Sequence, residues 1–390
     1  MRTDAEEMAA RRPRRGGKVL WMALAAIVIA GVIIGAGVLL GWIGGSSGVS
    51  LVGGGATFPY PLIAKWSSVY VNLTCPTTCV RVNYQAIGSG GGVSQIIAKT
   101  LDFAGTDAPL NATERSRAPG LLHIPETIGA VTATYNLGSG IQSGLNLTGQ
   151  ILADIFLGTI TNWNNASIAA LNPGVSLTNA AITVLHRSDG SGTTFVWTSY
   201  LHVASTTWPT TLVGKNPNWP VGIGKPGNGG VAGYVKQNAN TIGYVELAYA
   251  VQNPMTVAKV QNPAGNFILP TLNSTKAAAE GATPALPAPD GDWSSVSILN
   301  APGADSYPIS TLTYLLFYKE LNVLGASMTQ PKAKALVDFL WWVVHDGQTY
   351  SAALVYVPLP SSIVTLDEGD AGSARAGIRT ITYNGQTLHT

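Results

Sequence analysis

The chain has 390 residues, 46% apolar and only 11% charged, which excludes a disordered or fibrous protein and leaves ample material for one large or two smaller cores. Two cysteines exclude a disulfide-dense scaffold and an iron–sulfur protein, and 45 glycines with 23 prolines, free of any Gly-X-Y period, point to many tight turns. The net charge of +2 is concentrated in the first twenty residues, so the remainder is nearly neutral and lacks the basic face a nucleic-acid binder needs.

In chain order, residues 1–18 form a basic tail and residues 19–43 run without a charge, long enough to cross a bilayer as a helix. The basic cluster before this run predicts a cytoplasmic N-terminus and an exported body, with Trp21 and Trp42 near the two interfaces. A cleaved signal peptide is the competing reading. Its apolar region is usually about 7–15 residues, and no A-x-A cleavage site stands out here, so an uncleaved anchor is favoured. Residues 44–48, Gly-Gly-Ser-Ser-Gly, read as a flexible linker. Cys75 and Cys79 lie close enough for a small disulfide in an oxidising compartment; as a zinc site the pair lacks further ligands. Sequons at Asn72, Asn111, Asn146, Asn165 and Asn273 permit glycosylation without showing it.

The body repeats one pattern: a short apolar strand, a Gly/Ser/Thr turn and an amphipathic helix. Residues 50–52 lead into Gly53-Gly54-Gly55-Ala56-Thr57-Phe58-Pro59 and a stripe of Leu62, Ile63, Trp66, Val69 and Tyr70. Residues 80–87 alternate as a strand before Gly88-Ser89-Gly90-Gly91-Gly92 opens a helix with Val93, Ile96 and Ile97 inward. Residues 101–105 form a third strand closed by Thr106-Asp107-Ala108-Pro109, and residues 182–185 run into Arg187-Ser188-Asp189-Gly190-Ser191-Gly192-Thr193 and another helix. Residues 271–290, rich in Ala, Pro and Thr, read as a surface loop insertion; residues 312–317 read as a strand and 332–344 as an amphipathic helix. Trp341 and Trp342 read as packing residues. Alternating strands and helices predict an α/β fold with largely parallel sheets.

The turns share one chemistry. A helix N-terminus exposes unpaired N–H groups and about half a positive charge, which makes it a ready anion site. Thr57, Ser89, Ser191 and Thr193 add hydroxyls at such turns, although a Ser or Thr before a helix is most often only an N-cap. Four of them in separate glycine-rich turns, together with Arg187, predict a convergent oxyanion pocket. Asp107 would repel a dianion unless that ligand has a proton to give it. Hydrogen phosphate has one and sulfate has none at neutral pH, so Asp107 is expected to select phosphate. Asp189, two residues from Arg187, is expected to orient the guanidinium. Both aspartates also have bland readings, as a turn residue before Ala-Pro and as a helix cap.

These stretches, with Val82-Asn83-Tyr84-Gln85-Ala86-Ile87 and Ile242-Gly243-Tyr244-Val245-Glu246, resemble the substrate-binding component of the Pst phosphate ABC transporter, in consistent order over about residues 50–385. The resemblance implies a two-lobe periplasmic-binding-protein fold of class II type, residues 49–131 and 307–390 forming lobe I and 132–306 lobe II. It implies that Thr57 and Phe58 (backbone N–H), Ser89 and Asp107 contact phosphate from lobe I. Arg187, Ser191, Gly192 and Thr193 would contact it from lobe II, with Asp189 pairing Arg187. The expected partners are inorganic phosphate and the permease and ATPase subunits of the transporter, the receptor acting as a monomer with no cofactor or metal. Two departures stand out: many relatives have a second serine where Gly90 stands, and His186 occupies a position often basic in the family. His186 reads as a solvent-facing strand end; facing the site, it would make affinity pH-dependent.

Rival functions are a secreted phosphatase or serine hydrolase, a receptor for another tetrahedral oxyanion, and a tethered phosphate sensor. The five histidines form no H-E-x-x-H or H-x-H pattern, and the G-x-S-x-G match at residues 44–48 lies in the linker instead of a strand-to-helix elbow.

Overall fold

β-Branched and aromatic runs bounded by glycine turns build the central sheet of the protein, described here from a computed structural model. The structure describes residues 48–389 apart from 76, 139–143, 283–284 and 371–374. The basic tail, the apolar run 19–43 and most of the linker therefore lie outside the described residues. Among the described residues no helix is long and apolar enough to cross a membrane.

Strands β1 (Ser50–Gly55), β2 (Arg81–Gln85) and β3 (Phe103–Thr106) alternate with helices α1 (Tyr60–Thr74) and α2 (Ser89–Ile97), followed by the short α3 (Ala112–Arg117). Strand β4 (Leu121–Asn136) is sixteen residues long. It precedes β5 (Asn146–Leu147), α4 (Gly149–Phe156) and α5 (Ala166–Leu171). Next come β6 (Thr183–Arg187), α6 (Gly192–Ala204), β7 (Ile223–Lys225), α7 (Gly227–Gln237), β8 (Thr241–Glu246) and α8 (Leu247–Gln252). The remaining elements are β9 (Thr256–Val257), β10 (Lys259–Gln261), β11 (Phe267–Ile268), α9 (Leu272–Gly281), β12 (Ser310–Tyr318), α10 (Gln330–Val344), α11 (Ser361–Glu368) and the hairpin of β13 (Thr382–Tyr383) and β14 (Gln386–Thr387).

The main sheet runs β2-β1-β3-β12-β4-β8-β6-β7, with β9 alongside β4. Its outer pairs are parallel, but β12 is antiparallel to β3 and β4, and β4 is antiparallel to β8 and β9. The expectation of largely parallel sheets is thus corrected to a mixed sheet. Apolar period reports which residues are buried and carries no information on strand direction, which depends on long-range return of the chain. Strand β4 pairs with β12 from Leu121 to Ala130 and with β8 from Val131 to Asn136. One strand therefore belongs to two neighbourhoods and exchanges partners at Ala130/Val131.

The helical stripes pack as their spacing dictates. Leu62, Ile63, Trp66 and Tyr70 of α1 and Val93 and Ile96 of α2 are buried, as are Ala335, Leu336, Phe339, Leu340 and Val343 of α10. Val69 and Ile97 are half-buried at the stripe edges. Trp342 leans on Tyr70, and Trp341 is stacked by His345, His389 and the guanidinium of Arg379, so both tryptophans serve packing. Residues 271–290 depart from the expected loop. Thr271 caps α9 through a reciprocal pair with Ser274, and Ser274, Thr275 and Ala278 are buried. Alanine-rich, weakly apolar turns give a shallow amphipathic signal, so the capping box was the informative feature of that stretch. Cys75 and Cys79, just past α1, are joined in a disulfide.

Candidate anion-binding site

The turns that follow β1, β2, β3 and β6 converge at the C-terminal ends of their strands, where the helix N-termini of an α/β sheet gather. Arg187 ends β6 and is 2% exposed. Its Nε donates to Asp189 Oδ1 at 2.8 Å and its Nη2 pairs with Asp189 Oδ2, a bidentate clamp that fixes the guanidinium plane. Gly227 N–H donates to the same Asp189 Oδ1 at 2.9 Å. Burial opposes ionisation of Asp189, but these donors outweigh it and hold the carboxyl below its ordinary range. The remaining Arg187 nitrogen, Nη1, reaches Thr193 Oγ1 at 3.4 Å.

Thr193 Oγ1 in turn stands 3.3 Å from Asp107 Oδ2, so Arg187 and Asp107 share one buried network. Asp107 is 2% exposed, and its backbone N–H donates to Ser89 Oγ at 3.3 Å. Burial pushes its carboxyl up to about 7, against the pull of Arg187 and the hydroxyls of Thr313 and Thr193, while Asp189 adds a smaller upward push. Thr57 is also buried, its Oγ1 accepting from Asn228 Nδ2 at 2.8 Å and Asn228 N at 3.2 Å. The carbonyls of Thr57 and Phe58 accept from Tyr249 and Tyr356 hydroxyls, each at 2.7 Å. These bonds hold the turn that opens α1.

Of the four hydroxyls singled out in the sequence, only Ser191 is a helix cap, accepting from Thr194 N at 3.1 Å. The cap positions of α1 and α2 are Pro59 and Gly88, and Ser89 and Thr193 lie inside the first turns of their helices. Capping therefore does not account for Thr57, Ser89 or Thr193. Gly192 abuts the other wall: a Cβ there would lie 2.5 Å from Ser89 Oγ and 2.6 Å from Asp107 Oδ2. Gly192→Ala is expected to force these walls apart and lower anion affinity by at least about tenfold, read by calorimetry, with little change in the melting of the ligand-free protein. Unchanged affinity would mean that the Gly192 approach is not part of the bound state.

Gly90 answers its departure from the serine seen in many relatives. Its N–H donates to Gly190 O at 2.8 Å, and a Cβ would come within 3.0 Å of Gly190 Cα. The backbone donor is thus taken by the facing turn. On that side Ser191 N–H donates to Lys215 O at 2.8 Å, and the Lys215 ammonium pairs with Glu114 of α3. His186 corrects its expected solvent exposure: half-buried, it stacks on Trp219 at 4.9 Å with Nδ1 2.9 Å from Arg187 O, because the apolar indole covers the strand end.

Sequence reasoning missed Asn228, Thr313, Glu126 and Glu246. Asn228 Nδ2 bridges Thr57 Oγ1 and, at 3.2 Å, Thr193 Oγ1, while its Oδ1 accepts from Glu246 N at 3.0 Å. A signal was present: Pro226-Gly227-Asn228-Gly229-Gly230 is a further glycine-rich strand-to-helix turn. Thr313 and Glu126 sit mid-strand on β12 and β4, where nothing local marks them.

The fold is the two-lobe α/β fold of a periplasmic binding protein, and a model of the PBP superfamily domain matches residues 44–346. The phosphate-binding protein PstS of Pasteurella multocida (strain Pm70) is 43% identical over 322 residues, covering 81% of this chain and 88% of that protein. PstS of Xylella fastidiosa (strain Temecula1 / ATCC 700964) is 42% identical over 322 residues, covering 81% and 83%. The chain belongs to the PstS family of phosphate-binding proteins. Its fold is also that of the high-affinity periplasmic phosphate-binding protein PfluDING, solved with phosphate, at a TM-score of 0.62 and 22% identity over 81% of this chain and 92% of that one.

Proposed function

We propose that this chain is an extracytoplasmic receptor that binds inorganic phosphate between two lobes and delivers it to the permease of an ABC transporter. One observation carries the reading: a buried guanidinium and a buried, proton-accepting carboxyl, Arg187 and Asp107, meet through Thr193 where α1, α2, α6 and α7 begin. Lobe I comprises residues 49–131 and 307–390, and lobe II residues 132–306. The exchange of partners along β4 at Ala130/Val131 supports the first boundary, and the start of β12 at Ser310 supports the last. Thr57, Phe58, Ser89 and Asp107 face Arg187, Ser191, Gly192 and Thr193 across the cleft, and Asp189 holds Arg187 in plane. Each lobe supplies part of the ligand shell, so phosphate stabilises the closed arrangement that a permease reads.

The chemistry is binding without bond cleavage: Arg187, Thr193 and the turn N–H groups are oriented donors, and the Asp107 carboxyl is an acceptor for the ligand's proton. The apolar run 19–43 tethers the receptor to the membrane, with the basic tail inside and the binding unit outside. The purified protein, titrated with an oxyanion panel by calorimetry, is expected to bind phosphate tightly, arsenate comparably and sulfate negligibly at pH 8. Arsenate follows phosphate because it too keeps a proton. Equal affinity for phosphate and sulfate would overturn the reading.

A further inference from the structure

Behind Asp107 lies a second carboxyl that the proposed phosphate shell does not use. Glu126 on β4 is fully buried; its Oε1 stands 3.2 Å from Thr313 Oγ1, and its Oε2 has no hydrogen-bond partner. No ion pair to Glu126 occurs among the described residues. Thr313, on β12 next to β4, has one hydroxyl proton and three oxygens around it: Asp107 Oδ1 at 3.2 Å, Glu126 Oε1 at 3.2 Å and Thr106 O at 3.4 Å.

If Glu126 were ionised, two carboxylates and a carbonyl would compete for that single proton in a site sealed from water. An unpaired buried charge is too costly to persist, so the group holds its proton instead. Burial drives Glu126 well above the ordinary carboxylate range, and the Asp107 charge adds to this against the Thr313 bond. The other titratable groups nearby, Tyr84, Tyr356 and Glu246, are all shifted by burial toward their neutral forms. With the proton on Glu126 Oε1 the conflict disappears. Glu126 donates to Thr313, and Thr313 donates to Asp107 Oδ1. From the other side Arg187 Nη1 donates to Thr193, whose hydroxyl donates to Asp107 Oδ2. Both chains end on Asp107 as an acceptor.

Resting on the phosphate reading above, we propose that Thr313 is a specificity-determining positioning residue: steadied by the neutral carboxyl of Glu126, it aims its one proton at Asp107 and so keeps that carboxylate an acceptor for a protonated oxyanion. Removing the donor favours protonation of Asp107, and a protonated Asp107 offers a hydrogen to sulfate. The signature is therefore a change in selectivity, not only in affinity.

The test is calorimetric titration of the full-length protein with phosphate and with sulfate at pH 8. Thr313→Val is expected to lower phosphate affinity by about tenfold, the scale of one hydrogen bond to a charged group, and to raise sulfate affinity, so that their ratio falls further. Thr313→Ser is expected to restore the ratio. Glu126→Leu is expected to erode it less, and Glu126→Gln to recover that loss because an amide N–H can donate to Thr313 as the protonated carboxyl does. A ratio unchanged in Thr313→Val, or both affinities falling in the same proportion, would overturn the proposal. Should that variant fail to fold, Glu126→Gln weakening selectivity as much as Glu126→Leu would do so instead. Wild type binding no phosphate would sink the functional reading itself; wild-type binding with an indifferent Thr313 sinks only this proposal.

Discussion

Arg187→Ala is expected to weaken phosphate binding by about 10²–10³-fold or more, the scale of stripping one member from a buried charge pair. The guanidinium is 2% exposed and clamped by Asp189, so its positive charge is presented without the cost of ordering a flexible side chain on binding. It is also the cation whose charge acts on Asp107, in a site where Asp107 and Asp189 both present carboxyls to an incoming anion. Truncation would leave a dianion facing the negative Asp189 with only hydroxyls and backbone dipoles in compensation. Arg187→Lys is expected to recover part of the loss, since it restores the charge but cannot reproduce the two-point contact with Asp189. Calorimetry reads both. An alanine variant within threefold of wild type would place the anion elsewhere.

Asp107→Asn is expected to collapse the preference for phosphate over sulfate by about 10²–10³-fold, chiefly by admitting sulfate. Like unit charges 4 Å apart repel by about 4 kcal/mol at an effective dielectric of 20, near a thousandfold in affinity. Phosphate offsets that repulsion by donating its P–O–H hydrogen to the carboxylate; sulfate has no such donor. The asparagine removes the negative charge but keeps an acceptor oxygen for the P–O–H hydrogen and adds an N–H donor for sulfate, so phosphate affinity changes much less than sulfate affinity. The same logic sets a pH dependence. Burial brings the ligand-free Asp107 up to about 7, so below that pH the group is protonated and becomes a donor. Sulfate affinity of the wild type should rise about tenfold per unit as pH falls toward 7 from above and level off below it, whereas in Asp107→Asn the slope vanishes. A sulfate titration series from pH 5 to 8.5 decides this. A wild-type profile parallel to that of the variant would remove Asp107 from the discrimination.

Much of the site was legible because local chemistry has a short-range signature. A glycine turn between an apolar strand and an amphipathic helix places N–H groups and hydroxyls at a helix N-terminus whatever the rest of the chain does, and Thr57, Ser89, Ser191 and Thr193 could be chosen on that ground. Asp189 two residues from Arg187 is likewise a local relation. His186 was misjudged because its neighbour Trp219 lies more than thirty residues away in a segment with no marked pattern.

What the amino-acid order determined by itself is the set of strand–turn–helix units, the neutral body and the residues able to meet an anion, since periodicity and turn chemistry act within a few residues. The tertiary structure alone decided strand direction, the double membership of β4, and the placing of Asn228, Thr313 and Glu126 around Asp107. The contacts of Asn228 with Thr57 and of Thr313 with Glu126 and Asp107 join positions 171 to 206 residues apart, and only closure of the chain into a sheet determines which distant side chains share a buried space.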